Sequence, residues 1–145
     1  MTTQDDKLSA AERAAVKQRA AELRKQASRK GGSKKERDRQ DVIDTIAGLA
    51  GTDQAIARML DEIVTEVAPD LDPKTYYGFP AYARDGKIVV FFQPASKFKT
   101  RYGTLAFDEA ANLDEGDMWP TSFAVTSTSD EIRKRVTELV KRAVG

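Results

Sequence analysis

The sequence predicts an α+β domain: an antiparallel sheet of about four strands with helices packed on one face, preceded by an N-terminal helical extension. Three observations carry that prediction. Ile56, Met59, Leu60, Ile63, Val64 and Val67, and later Ile132, Val136, Leu139, Val140 and Ala143, recur at helical spacing. Between them lie short aromatic and β-branched runs punctuated by turn residues. Charge is also divided, since residues 1–40 carry a net +6 and residues 41–145 a net −5.

The elements follow in order. Ser9-Ala10-Ala11-Glu12 has capping-box spacing and predicts a helix from about Ser9 to Ala27. Its large apolar residues are only Leu8, Val16 and Leu23, a narrow stripe that predicts weak docking at most and leaves open whether the helix docks or projects into solvent. Glycine and like charge in Arg29-Lys30-Gly31-Gly32-Ser33-Lys34-Lys35 predict a flexible linker. Val42, Ile43, Ile46 and Leu49 then mark a helix ended by Gly51, and Thr52 is placed to cap the next, which Pro69 stops. Residues 1–38 thus read as a basic extension and linker, and 39–145 as the folded domain.

Tyr76 to Tyr82 reads as one extended aromatic segment, with Gly78 and Pro80 predicting a local bulge. Asp85-Gly86 predicts a two-residue hairpin leading into Lys87 to Phe92. Further strands are expected at about Arg101 to Phe107 and Ser122 to Thr126, around an acidic loop from Asp108 to Asp117. Thr128-Ser129-Asp130-Glu131 has a second capping-box spacing before the last helix.

Composition excludes much chemistry. Among 145 residues there is no cysteine and no histidine, which removes thiol nucleophiles, Ser/His/Asp triads, His- or Cys-ligated zinc and disulfides. No paired-carboxylate spacing singles out a catalytic dyad, so an enzyme is not expected. The longest apolar run, Ile88 to Phe92, is far too short to cross a bilayer, and Met1 to Asp6 lacks the pattern of a secretory signal. No membrane association and a cytoplasmic location are expected.

The candidate ligand residues are Tyr77, Phe79, Tyr82 and Trp119, aromatic groups suited to a cleft wall, with Lys97, Lys99 and Arg101, whose alternation would put three cations on one face of an extended strand. Cations so placed suit a phosphate or carboxylate. Asp108, Glu109, Asp114, Glu115 and Asp117 are the candidate metal ligands, hard oxygens fit for Ca²⁺, Mg²⁺ or Fe²⁺. Asp61, Glu62 and Glu66 offer a similar set on a helix. The basic N-terminal segment, with Arg24, Lys25, Arg29, Lys30, Lys34, Lys35, Arg37 and Arg39, suits nucleic acid or an acidic protein partner.

Tyr77-Gly78-Phe79-Pro80-Ala81-Tyr82, Gly86-Lys87, Phe92-Gln93-Pro94-Ala95-Ser96-Lys97 and Trp119-Pro120-Thr121-Ser122-Phe123-Ala124, in that order over roughly residues 40–145, resemble the DUF1801 or YdhG-like domain family. The resemblance implies a binding or carrier domain, since some members are described as frataxin-like intracellular iron chaperones, with Fe²⁺ as the implied cargo. The expectation is therefore a non-enzymatic domain that binds a small anion or a metal ion; the alternative is an interaction module working through residues 1–40.

Overall fold

The computed structural model describes residues 9–28 and 34–145. Its elements run α1 (Ala10–Ser28), α2 (Lys34–Ala47), α3 (Gly51–Val67), β1 (Asp72–Tyr76), β2 (Phe79–Arg84), β3 (Lys87–Gln93), α4 (Ala95–Phe98), β4 (Gly103–Phe107), β5 (Ser122–Val125) and α5 (Asp130–Val144). The five strands form one antiparallel meander in the order β1-β2-β3-β4-β5. The class is α+β as expected, with one strand more than the four read from the sequence. Leu8 and the linker residues 29–33 lie outside the described residues, as do Arg29 and Lys30.

The extra strand comes from Tyr77-Gly78. That pair is not a bulge inside one strand but a hairpin loop, with φ of +53° and +79°, closed by the pairing of Tyr76 with Phe79. Positive φ at both positions is the signature of a type I′ turn, whose twist matches the flanking strands. Asp85-Gly86 makes the same turn at φ +51° and +80°, as its sequence predicts. Pairing of β2 with β3 begins at Ala81, so Pro80, which has no N–H to give, stays outside that ladder; the irregularity expected there lies instead between Tyr82 and Ala83.

Register assigns the two faces. Tyr82 pairs with Val90, and Val90 with Phe107, while Phe92 pairs with Leu105. These side chains are buried with Val42 and Ile46 of α2, Ile56, Leu60 and Ile63 of α3, and Val136 and Val140 of α5. The alternate row, Ala81, Phe91 and Ala106, faces the other way, as do Tyr76 and Phe79. Helices α2, α3 and α5 therefore cover one face, and the opposite face carries an aromatic cluster.

Several helix boundaries differ from expectation. Helix α2 begins at Lys34, inside the expected linker, and runs through the expected domain boundary at 38/39. It ends at Ala47 rather than at Gly51, which opens α3 at φ +55°. The α3 N-cap is Ala50 with no side-chain cap, so Thr52 lies within the helix. Gln54 instead donates to the carbonyls of Ile46 (3.2 Å), which also accepts Leu49 N–H, and Ala47 (3.3 Å) at the end of α2. Ile43, expected inside, is exposed. In α5 the cap is Ser129, not Thr128: its Oγ accepts from Ile132 N–H at 3.3 Å.

Helix α1 forms its capping box, with Glu12 N–H donating to Ser9 Oγ (3.0 Å) and Ser9 N–H to Glu12 Oε1 (2.9 Å). It docks, which its apolar stripe leaves open, and it does so through other residues. Val16 and Leu23 are each 50% exposed, whereas Ala15 and Glu22 are buried and Arg19 is half-buried. The docked face is therefore small and polar, and it binds through Arg19, which donates to Thr75 O at 3.2 Å and stacks over the Tyr76 ring at 5.1 Å.

Candidate functional site

The aromatic face gathers residues from four elements. Tyr76 ends β1, Phe79 opens β2, Phe91 lies in β3 and Phe98 closes α4. Phe79 stacks on Phe91 with 6.0 Å between centroids and meets Phe98 edge-on at 5.9 Å, while Tyr76 contacts Phe91 at 5.5 Å and Tyr77 at 4.8 Å. Offset stacks and edge contacts at such distances add to what burial alone contributes. The sequence forces this grouping, because the Tyr77-Gly78 turn folds Tyr76 back beside Phe79.

Helix α4 brings the cation. After β3 the chain makes one helical turn, closed by Lys99 in the left-handed region (φ +54°) and by Thr100 N–H donating to Ala95 O at 3.0 Å. Its start is capped from a distance: Asp53 of α3 accepts Ala95 N–H at 3.0 Å and Ser96 N–H at 3.1 Å. Burial pushes the Asp53 carboxyl up, but the hydrogen bonds from Ser96 and Ala95 outweigh it and hold the group below its usual value. Lys97, thus fixed, sets its Nζ over the Phe79 ring at 5.8 Å. The same ammonium lies against Gly78 so closely that a Cβ there would collide with it. The φ of +79° is what favours glycine here, since the tip of the Lys97 side chain can swing aside from a Cβ.

Gly78 N–H donates to Glu22 Oε2 of α1 at 2.9 Å. A hollow of about 540 Å³ opens between the first turns of α1 and the sheet, lined by Glu12, Ala15, Val16, Tyr77, Gln93 and Phe98; it meets the turn through Tyr77, whereas Glu22 lines a separate hollow with Gln18 and Thr75. Among the described residues, no ion pair joins Lys97 to a carboxylate. An unpaired ammonium, a turn N–H and aromatic walls suit a small anion with an apolar body.

Of the residues expected to bind ligand, the structure brings together Tyr77, Phe79 and Lys97. Tyr82 lies on the opposite face, where its hydroxyl donates to Asp61 Oδ1 at 2.7 Å. Lys97, Lys99 and Arg101 do not share a strand face: β4 starts only at Gly103, Lys99 is the exposed cap of α4, and Arg101 stacks over Tyr102 at 5.1 Å. Trp119 packs against the main core. The contributions of Glu22, Phe98 and Asp53 were not read from the sequence.

A second cleft, of about 400 Å³, opens beside Tyr82 between α2 and the end of α3, floored by Val64, Ala68, Leu71 and Pro73. Its cations are already matched. Arg39 holds Asp61 through both guanidinium nitrogens, the second at 2.7 Å, and Lys35 faces Asp72 at 3.6 Å. Burial, and then the Asp61 charge, push the Tyr82 hydroxyl well above its ordinary pKa, so it stays a donor. This network joins α2, α3 and β2, and leaves the cleft without an unmatched cation for an anion.

The candidate metal ligands do not converge: among the described residues no three acidic side chains gather as a metal ion requires. Asp108 accepts Glu109 N–H at 2.8 Å within its own loop, and Glu115 faces Arg142 of α5 at 3.5 Å, while Asp114 and Asp117 are exposed. The helical set is likewise divided, since Asp61 belongs to the Arg39 network and Glu62 pairs with Arg133 at 2.8 Å. No helix of the described residues is long and apolar enough to cross a membrane. Comparisons with protein-family models, with curated proteins and with solved structures give no match to this chain.

Proposed function

We propose that this protein is a non-enzymatic, cytoplasmic binding or carrier domain for a small organic anion, held on the aromatic face by Lys97 and the Gly78 N–H. The observation that carries this reading is the Lys97 ammonium, fixed over Phe79 and against Gly78 with no carboxylate partner among the described residues. A cation held in place by a remote cap and left unpaired favours an anionic guest over a purely structural role. The two segments that supply it, Tyr77–Tyr82 and Phe92–Lys97, are also the ones in which the chain resembles DUF1801 domains. Iron carriage, which that resemblance implies, has no group of three acidic residues among the described residues to rest on.

The test is an NMR titration of the full chain with phenylacetate, acetate and inorganic phosphate in parallel. Saturable amide shifts centred on Gly78, Lys97 and Phe98, lost in Lys97→Ala, are the expected result. Shifts confined to the Val64–Leu71 cleft would move the site there. Binding of an anionic oligonucleotide through the basic residues of 1–40 instead, abolished by salt, would favour the interaction module.

A further inference from the structure

The anion site of the aromatic face already holds a carboxylate, and it belongs to the same chain. Glu22 is 7% exposed, and its Oε2 accepts Gly78 N–H at 2.9 Å. Its Oε1 is buried without a hydrogen bond, and its ion pair with Arg19 one turn earlier on α1, at 3.6 Å, is longer than a hydrogen bond. A buried anionic oxygen without a donor is costly, and such atoms are rare in native proteins. Meanwhile Lys97, against the same glycine, has no carboxylate partner among the described residues. Glu22 thus takes one of the two donors at this turn and leaves the other unused.

Resting on the reading of this face as an anion site, we propose that Glu22 is an internal ligand, which a free carboxylate bearing an aromatic or bulky apolar group displaces, lifting α1 from the sheet. A carboxylate free of the α1 backbone can place one oxygen on the Gly78 N–H and the other on the Lys97 ammonium, satisfying both. Its apolar part lies against Tyr77 and Phe98, the sheet-side wall that α1 uncovers on leaving. The class is a carboxylate because the occupant already present is one.

Two properties of α1 suit it to leave. Its docking buries little apolar surface, for Val16 and Leu23 remain half exposed. Its own capping box satisfies its first turn whether or not it is docked. Tyr77 points the same way: a bulky residue at φ +53° is unfavourable in a turn that Asn or Asp would hold without penalty, and its ring lines the hollow.

The experiment titrates the full chain and its Glu22→Gln variant with phenylacetate, following Gly78 and Lys97 by NMR and α1 amides by hydrogen exchange. Glutamine keeps an acceptor for Gly78 N–H but removes the competing charge, so the variant should bind about tenfold more tightly. Adding Lys97→Ala should erase that gain. In the unmodified chain, saturation with phenylacetate should speed exchange along α1. Equal affinity in both proteins, or binding that leaves α1 exchange unchanged, overturns the displacement and leaves an anion site on Lys97 without the Gly78 N–H, which stays on Glu22. Absence of binding at Gly78 and Lys97 in both overturns the anion site itself.

Discussion

Asp53 and Ala95 are joined by a hydrogen bond across 42 positions of the chain: Oδ1 of the carboxylate accepts the Ala95 N–H at 3.0 Å. The partner oxygen accepts from Ser96, so a residue in the first turn of α3 caps α4 and thereby sets the position of Lys97. Replacing Asp53 with Ala should cost about 0.5–2 kcal/mol of stability, the ordinary range for a lost cap. It should also weaken phenylacetate binding without touching the ligand. Denaturation and NMR titration of the same variant check both. Because the folded carboxyl is held below its unfolded value, its contribution is present above the usual aspartate pKa and is lost as pH falls through the folded value. The stability gap between the two proteins should therefore narrow in acid.

Tyr82 supplies the opposite limb. Its hydroxyl is pushed up, so its contribution is complete below the ordinary tyrosine pKa and is lost as pH rises from there toward the folded value. Tyr82→Phe should cost about 0.5–1.5 kcal/mol at neutral pH, the net worth of a typical hydrogen bond. It should also flatten the fall in stability above about pH 10. Urea denaturation of both proteins across that range is the measurement, and parallel alkaline curves would refute the assignment.

Gly103 gives a packing prediction. A Cβ at this position would lie 2.6 Å from Cε1 and 2.7 Å from Cζ of Phe92, a ring that is fully buried. Gly103→Ala should therefore destabilise by about 1–3 kcal/mol, as overpacking does. Combining it with Phe92→Leu should cost less than the sum of the two single changes, a coupling that a double-mutant cycle reads directly.

Tyr77 separates stability from function. Tyr77→Asn puts a residue that tolerates positive φ into the first position of a type I′ turn and should stabilise the fold by about 0.5–1 kcal/mol, less whatever the ring contact with Tyr76 contributes. The same change removes a wall of the hollow, so phenylacetate affinity should fall. A variant that is more stable and binds less well would place the cost of this turn on the side of ligand binding.

Much of this molecule is legible in local pattern. The apolar spacing of α3 and α5, the Ser9/Glu12 capping box, the Asp85-Gly86 turn and the strand that follows it come from short-range chemistry, and the structure bears them out. Errors arose where a residue obeys a local rule for a different reason. Tyr77-Gly78 resembles an aromatic strand with a glycine bulge because tyrosine is uncommon in a turn of this kind. Lys97 to Arg101 alternates like a strand, yet Pro94 and the Asp53 cap make its first part a helical turn. In α1 the large apolar residues Val16 and Leu23 stand half exposed, and Ala15 and Glu22 form the docked face instead.

The sequence by itself determined the class of fold, the exclusion of thiol and histidine chemistry and of His- or Cys-ligated zinc, and the set of cationic and aromatic residues the chain has to offer. Only the tertiary structure decided which of them meet. Tyr82 and Phe79 are three residues apart but lie on opposite faces of the sheet, because side chains alternate along a strand. Glu22, Gly78 and Lys97 come together from three distant segments, through a turn, a remote cap and a polar helix face. Pairwise contacts at that separation leave no trace in local spacing, since each is fixed by the packing of whole elements rather than by its neighbours in the chain.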